Sequence, residues 1–371
     1  MLSRRNIIVG SGVVLAGAGL GYSLWPGTDP AYAAAVDASR RRLDVEAAGA
    51  ASGAGDGETF SGLIRYATLA ANSHNTQPWL FGVSGREIRI APDFSRRCPA
   101  VDPEDRHLFA SLGCAAENLV LAAGAAGFAA EARFDDDAQA AVISLTPAAP
   151  HSLPAFEAIP RRQSTRAPFD VSPLSAEELR ALEGAIDRPG VRTRFLTARA
   201  ELDELKDFVV WGNTAQCGDA AFVEELRSWV RFNESDAVRR LDGLFAGASG
   251  NPVTPRWLGR AIFPYVFTAA AENPKYVAQI DGAAGALVLF AEKNDAAGLF
   301  AVGRAAQRFM LEAEARDIRT SFVNQPVEVA SVRHAFASWL GEGLRPALVL
   351  RFGRGAKVPM SLRRPVAAVT V

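Results

Sequence analysis

Lysine is scarce in this chain. Only four of the 40 basic residues are lysines, at positions 206, 275, 293 and 357, so the positive charge is almost entirely guanidinium. Forty basic residues face 41 acidic ones for a net charge of -1, and neither half holds a long run of one sign. That balance excludes an electrostatic grip on a nucleic-acid backbone. Four histidines, at 74, 107, 151 and 334, show neither H-x-x-x-H nor Cys–His spacing, so no metal centre is expected. Three cysteines, at 98, 114 and 217, are too few for a disulfide framework. One pair plus a free thiol stays open, while Cys114 reads as a small buried hydrophobe. There is no G-x-S-x-G elbow, and Gly353-Arg354-Gly355-Ala356-Lys357 lacks the rest of a phosphate loop, so hydrolase and nucleotidase chemistry have no support.

What is present begins with length. The 371 residues exceed a usual domain of roughly 100 to 200 residues, so two domains, or one built twice, are expected. Residues 1–33 read as an export signal. They have a charged start with Ser3-Arg4-Arg5, an apolar run from Ile7 to Trp25, and a small-x-small cleavage pattern at Ala31-Tyr32-Ala33. The paired arginines resemble the twin-arginine type, which implies the export machinery as a partner and a periplasmic or other extracytoplasmic location. An uncleaved anchor is the alternative, since the run is long enough to suggest a span. Gly17-Ala18-Gly19-Leu20-Gly21 looks like half of a dinucleotide fingerprint but lacks the strand and helix that fingerprint needs. Residues 34–58, with Arg40-Arg41-Arg42 and an Ala/Gly-rich stretch, read as a flexible linker or frayed helix.

An internal repeat organises the remainder. Gly113-Cys114-Ala115-Ala116 followed by Leu121-Ala122-Ala123 matches Gly303-Arg304-Ala305-Ala306 followed by Leu311-Glu312-Ala313, with the same offset at every matched position. Both carry a stripe of small residues at helical spacing, and each precedes an extended run, residues 130–134 and 319–323. Residues 79–83 and 87–91 form a hairpin around Ser84-Gly85, and residues 147–154 mark the boundary between a first half, 59–150, and a second, 151–371. A capping box opens a helix at Ser175, a strand follows at 191–196, and helices are expected around 200–214, 219–231 and 256–270. Helices and hairpin strands alternate irregularly, which predicts an α+β fold.

Three polar clusters remain. Asn72-Ser73-His74-Asn75-Thr76-Gln77-Pro78-Trp79 packs hydrogen-bonding groups into a turn able to face a planar heterocycle. Arg161 to Arg166 sets guanidiniums beside hydroxyls, a composition suited to a phosphate. Pro359 to Pro365 repeats that pattern near the end of the chain. With the Phe322-Val323-Asn324-Gln325-Pro326-Val327-Glu328 stretch, these clusters resemble the FMN-dependent nitroreductase family in its duplicated Acg-type branch, over about residues 59–371.

The resemblance implies a nitroreductase-like fold whose two half-length repeats are fused as a pseudo-dimer, and FMN as cofactor. Arg162, Gln163, Ser164 and Arg166 would hold the phosphate and ribityl chain, helped by Arg363 and Arg364. Asn72, Ser73 and Asn75 would contact the isoalloxazine, and the loop approaching flavin N5 would fall at Val323, Asn324 and Gln325. The polar turn occurs only in the first half and the arginine cluster only in the second, so one complete site is implied, with Arg40-Arg41-Arg42 a remnant of the other. The turn departs from the family's Pro-Ser-Ser start, reading Ala71-Asn72-Ser73. The implied reaction passes hydride from NAD(P)H through FMN to a nitroaromatic or quinone acceptor, without a catalytic acid or base among the site residues and without metal. The rival reading is a flavin-storage protein in which residues 244–283, rich in aromatics, close over the ring as a lid.

Overall fold

The computed structural model describes residues 29–41 and 56–371. Residues 1–28, which carry the paired arginines and the apolar run, lie outside the described residues, as do 42–55.

Helix α1 (Pro30–Arg40) is capped by the Asp29 carboxylate and precedes α2 (Asp56–Thr68). The first half then builds hairpin β1 (Trp79–Ser84) and β2 (Glu87–Pro92), helix α3 (Arg106–Ala125), and strands β3 (Phe128–Asp135) and β4 (Ala140–Pro147). Short α4 (Pro154–Ala158) leads across to α5 (Ala176–Ala185), which the Ser175 and Glu178 capping box opens as expected, and to β5 (Val191–Leu196). A helical segment follows: α6 (Arg199–Gly218), α7 (Ala220–Trp229), short strand β6 (Val230–Arg231), α8 (Glu234–Arg240), short strand β7 (Leu244–Phe245), α9 (Arg256–Val266) and α10 (Ala269–Asp281). The chain ends with β8 (Gly285–Ala291), α11 (Ala296–Ala315), β9 (Arg319–Phe322), α12 (Gln325–Glu328), α13 (Ala330–Leu340) and β10 (Pro346–Gly353). This is an α+β fold.

Two four-stranded antiparallel sheets form, in the orders β1-β2-β4-β3 and β5-β8-β10-β9. In each, a central helix lies in sequence between the second and third strands of the set, α3 in the first and α11 in the second. These helices cross where both lack a side chain. A Cβ on Gly113 would stand 2.0 Å from the Phe300 carbonyl oxygen, and one on Gly303 would stand 1.9 Å from that of Ala110. Only glycine permits so close a backbone approach. Ala110 and Phe300 stand at the same sequence offset as Gly113 and Gly303, so the two contacts are reciprocal. Helix α3 is long and apolar enough to cross a membrane, yet it lies buried between the halves as their common core.

Each half also lends an edge to the other. The Phe81 N–H donates to the Val369 carbonyl at 2.7 Å, and the Val371 N–H donates to the Phe81 carbonyl at 2.9 Å, so the chain end runs along β1. The Thr165 N–H donates to the Thr320 carbonyl at 2.9 Å, placing the segment after the first half beside β9.

The expected linker over 34–58 needs correction. Through Arg40 it is helix, and α1 is packed rather than frayed. Tyr32 is 1% exposed, lies against Phe245, and directs its hydroxyl at the Met360 carbonyl. The expected cleavage pattern at Ala31-Tyr32-Ala33 falls inside this helix. The helical insertion is also larger than the expected 244–283, because everything from α6 to α10 lies between β5 and its partner β8.

Candidate functional site

The polar turn after α2 is held in shape from three sides. Within it, the Asn72 side-chain oxygen accepts the Gln77 N–H at 2.8 Å. From the insertion, the carbonyls of Gly243 and Leu241 accept hydrogen bonds from Asn75 Nδ2 and Gln77 Nε2. From the C-terminal segment, Arg363 donates to Asn75 Oδ1 at 2.8 Å, and the Arg364 N–H donates to Gln77 Oε1. These bonds sustain left-handed backbone at His74, Asn75 and Gln77, with φ of 45°, 53° and 56°, a conformation uncommon outside glycine that surrounding contacts must impose.

Beside the turn lies a cavity of about 710 Å³. Asn72, Ser73 and His74 form one rim, and His107, Ser111 and Cys114 reach it from α3. Arg166, Phe322, Asn324, Gln325 and Glu328 come from the second half, and α6, α7, α9 and α10 complete the walls with Asn213, Gln216, Phe222, Phe263, Lys275 and Tyr276. Its volume falls in the roughly 300–1,000 Å³ usual for cofactor and ligand pockets, and its apolar walls with a few convergent polar groups have the usual character.

In the cavity wall His107 Nδ1 stands 3.6 Å from Glu328 Oε1, and Gln216 Nε2 donates to the other carboxylate oxygen at 2.6 Å. Burial pushes the Glu328 carboxyl above its ordinary value, against the opposing pull of His107. Burial lowers the His74 imidazole to about 4, with the charges of Arg166 and His107 adding to the effect. Lys275 donates to Glu272 and Asn251, and Gln325 Oε1 is a buried acceptor without a hydrogen-bond partner among the described residues.

The expected site residues separate into two groups. Asn72, Ser73, Arg166, Asn324 and Gln325 line the cavity. Arg162, Gln163, Ser164, Asn75, Arg363 and Arg364 do not line it, because most are committed to the chain itself. Arg162 donates to the Leu69 carbonyl, and Arg363 donates to the carbonyls of Thr68, Leu69 and Ala70, so both close the C-terminal end of α2. Gln163 accepts the Val358 N–H and donates to the Met360 sulfur, Ser164 pairs with Thr320, and Arg364 reaches the Ala368 carbonyl. At the expected N5 loop, the Val323 N–H is spent on the Val349 carbonyl, and Asn324 Oδ1 accepts the Val349 N–H.

Arg40, expected only as a remnant of a second site, joins this group: its guanidinium donates to the carbonyls of Pro160, Arg162 and Ser361. Burial lowers Arg40 to about 9 with Arg162 contributing, and burial alone lowers Arg162 to about 10. Arg363 is held well below its ordinary value by burial and by repulsion from Arg40 and Arg162. Arg40 Nε and Arg162 Nε are buried without a hydrogen-bond partner among the described residues. A cluster of buried guanidiniums with orphaned donors is an environment that favours an anion. The cluster holds residues 68–70, and the cavity rim starts at Ala71.

No protein-family model matches the chain. Two curated proteins of Mycobacterium tuberculosis, from strains H37Rv and CDC 1551, both carrying the name "Putative NAD(P)H nitroreductase", are each 28% identical over 309 residues, which is 80% of this chain and 86% of the relative. Among solved structures, the FMN-dependent nitroreductase NfnB of Mycobacterium smegmatis in complex with NADPH covers 54% of this chain and 87% of its own, at 19% identity and a TM-score of 0.36. A nitroreductase with bound FMN from Desulfitobacterium hafniense covers 56% and 94%, at 16% identity and a TM-score of 0.35. The chain is therefore similar over most of its length to curated proteins named as nitroreductases, and each of these solved structures matches little more than half of it.

Proposed function

We propose that the protein is an FMN-binding oxidoreductase of nitroreductase type, taking reducing equivalents from NAD(P)H and delivering them to a nitroaromatic or quinone-like acceptor. The observation that carries this reading is the cavity of about 710 Å³, which draws on both halves and has aromatic walls, a polar rim and cationic side chains. The residues fit the group. Phe222, Phe263 and Phe322 offer apolar surface to a planar ring system, while Asn72, Ser73 and Gln325 offer hydrogen-bonding groups for its polar edge. Arg166 and Lys275, both in the lining, supply the positive charge a phosphate needs. FMN, when bound, supplies the two-electron relay between donor and acceptor. The chain's own contribution is to bind and orient the group, with helices of the insertion forming part of the wall and the His107–Glu328 pair standing against the cavity.

The names of the Mycobacterium tuberculosis relatives support the donor and the reaction class. The test is direct. Purified protein should be yellow, or become so on adding FMN, and NAD(P)H should bleach the flavin band under anaerobic conditions. Colourless protein that takes up no FMN overturns the reading.

The second reading, flavin sequestration, draws on a separate observation. The insertion places α7, α9 and α10 over the cavity, with Phe263 and Phe267 stacked at 5.1 Å between ring centroids. Under that reading the bound flavin is not bleached by NAD(P)H.

We further infer that the halves are copies of one unit fused in tandem, as in the Acg-type branch. The constant offset of the matched segments, the shared strand order and the reciprocal glycine contacts support it. We also propose that Ser3-Arg4-Arg5 and the apolar run direct export by the twin-arginine route. Because Tyr32 is buried, processing at Ala33 would cut α1, so the exported chain is expected to retain that helix. Intact mass of the extracytoplasmic protein checks this, and a mature N-terminus at Ala34 would refute it.

A further inference from the structure

Cys98, in the loop after β2, comes to rest against the polar turn and α7. Its sulfur lies 3.7 Å from His74 Nδ1. With a carboxylate oxygen of Glu225, on α7, these form a set of three ligand atoms all within 4.8 Å of one another. No motif spacing in the sequence announces the set, since His74, Cys98 and Glu225 stand far apart along the chain and on separate elements.

The spacing is compatible with a coordination polyhedron. With bonds of about 2.3 Å to sulfur and about 2.0–2.1 Å to nitrogen, the S···N edge of a tetrahedral zinc site is about 3.6 Å. A thiol–imidazole contact at 3.7 Å is close to that edge. Glu225 is held rigidly: its carboxylate oxygens accept the backbone N–H groups of Ala100 at 2.8 Å and Val101 at 3.1 Å, and it has no ion-pair partner among the described residues. Two backbone donors to a ligating carboxylate are the usual outer support of a metal ligand. The surroundings are apolar, with Cys98 packed among Val101, Phe222 and Leu226.

The charge count also closes. A thiolate and a carboxylate neutralise a divalent cation, and a neutral imidazole completes the set. His74 lines the cavity, whereas Cys98 and Glu225 do not, so a fourth position facing the cavity would be left to water.

We propose that His74, Cys98 and Glu225 form a binding site for a divalent metal of the zinc class. The metal ties helix α7 of the insertion to the polar turn of the first half and so fixes the cavity wall that carries Phe222 and Leu226. The proposal needs no bound flavin, and its readouts are independent of turnover.

The test uses the full chain, stripped with a chelator and reloaded with Zn2+ alone. X-ray absorption at the zinc edge is expected to show one sulfur at about 2.3 Å and nitrogen or oxygen neighbours at one metal per chain. Cys98→Ser should lose the sulfur scatterer, and Glu225→Gln should keep it while binding Zn2+ at least about 10-fold more weakly in competition with a chromophoric chelator. Zn2+ should raise the thermal midpoint of the wild type and leave that of Cys98→Ser unchanged. Sulfur-free coordination in the wild type, or Zn2+ affinity unchanged in both variants, would overturn the assignment. Should Cys98→Ser fail to fold, Glu225→Gln and the wild-type spectrum decide alone.

Discussion

Arg363 donates to three consecutive carbonyls at the end of α2 and to the Asn75 side chain, all in buried surroundings. Arg363→Ala would leave those acceptors without partners, and a loss of about 3 kcal/mol is expected in urea unfolding. Arg166 stands at the cavity instead. Arg166→Ala is expected to weaken FMN retention at least about 10-fold, measured by flavin released on dilution. Unchanged FMN retention in Arg166→Ala would contradict its assignment to the cofactor. Composition could not separate the two, because a guanidinium that caps a helix and one that meets a ligand look alike in sequence. The group Arg162, Gln163, Ser164 and Arg166 was legible as a cluster, whereas only the fold turned Arg162 towards Leu69 and brought Arg40 beside it.

The crossing of α3 and α11 carries the sharpest expectations at the level of elements. A Cβ at Gly113 or Gly303 would meet backbone atoms of the facing helix, which cannot rotate aside. Gly113→Ala and Gly303→Ala are each expected to cost about 3 kcal/mol or more. Gly184, inside α5, has nothing within 4 Å of its Cβ position. Gly184→Ala should therefore gain about 0.5–1 kcal/mol by lowering the entropy of the unfolded chain. Thermal unfolding of the three variants side by side checks both signs. The small-residue stripes of these helices, the hairpin β1–β2 and strand β5 could be read directly, because periodicity and turn residues are local signals. Helix α8 and the packed α1 were not anticipated. The burial of α1 depends on Tyr32 meeting Phe245 and Met360, which come from the insertion and the chain end, far away in sequence.

Across the whole molecule, Glu117 ties the two halves together. It is fully buried on α3 and bonded to Arg188, Arg304 and Arg308 of the second half. Burial raises its carboxyl, but the three guanidiniums outweigh this and hold it below the ordinary 4.5. A depressed folded-state value stabilises the fold fully above that ordinary value, and the contribution is lost as pH falls through the folded one. Acid unfolding of the wild type should therefore steepen below about pH 4.5. Glu117→Gln should lack that component and start about 4 kcal/mol less stable at neutral pH, because three buried cations lose their anion. A pH profile shared by both proteins would exclude the role. By itself, the sequence determined the α+β class, the matching small-residue segments, most strands and the polar clusters, since these rest on spacing between near neighbours or on direct comparison of one segment with another. The tertiary structure alone decided which cluster residues face the cavity, that Arg40 joins the buried arginines, and that His74, Cys98 and Glu225 meet. Such convergence depends on how distant segments pack, and no local pattern of residues encodes the direction of a side chain across that distance.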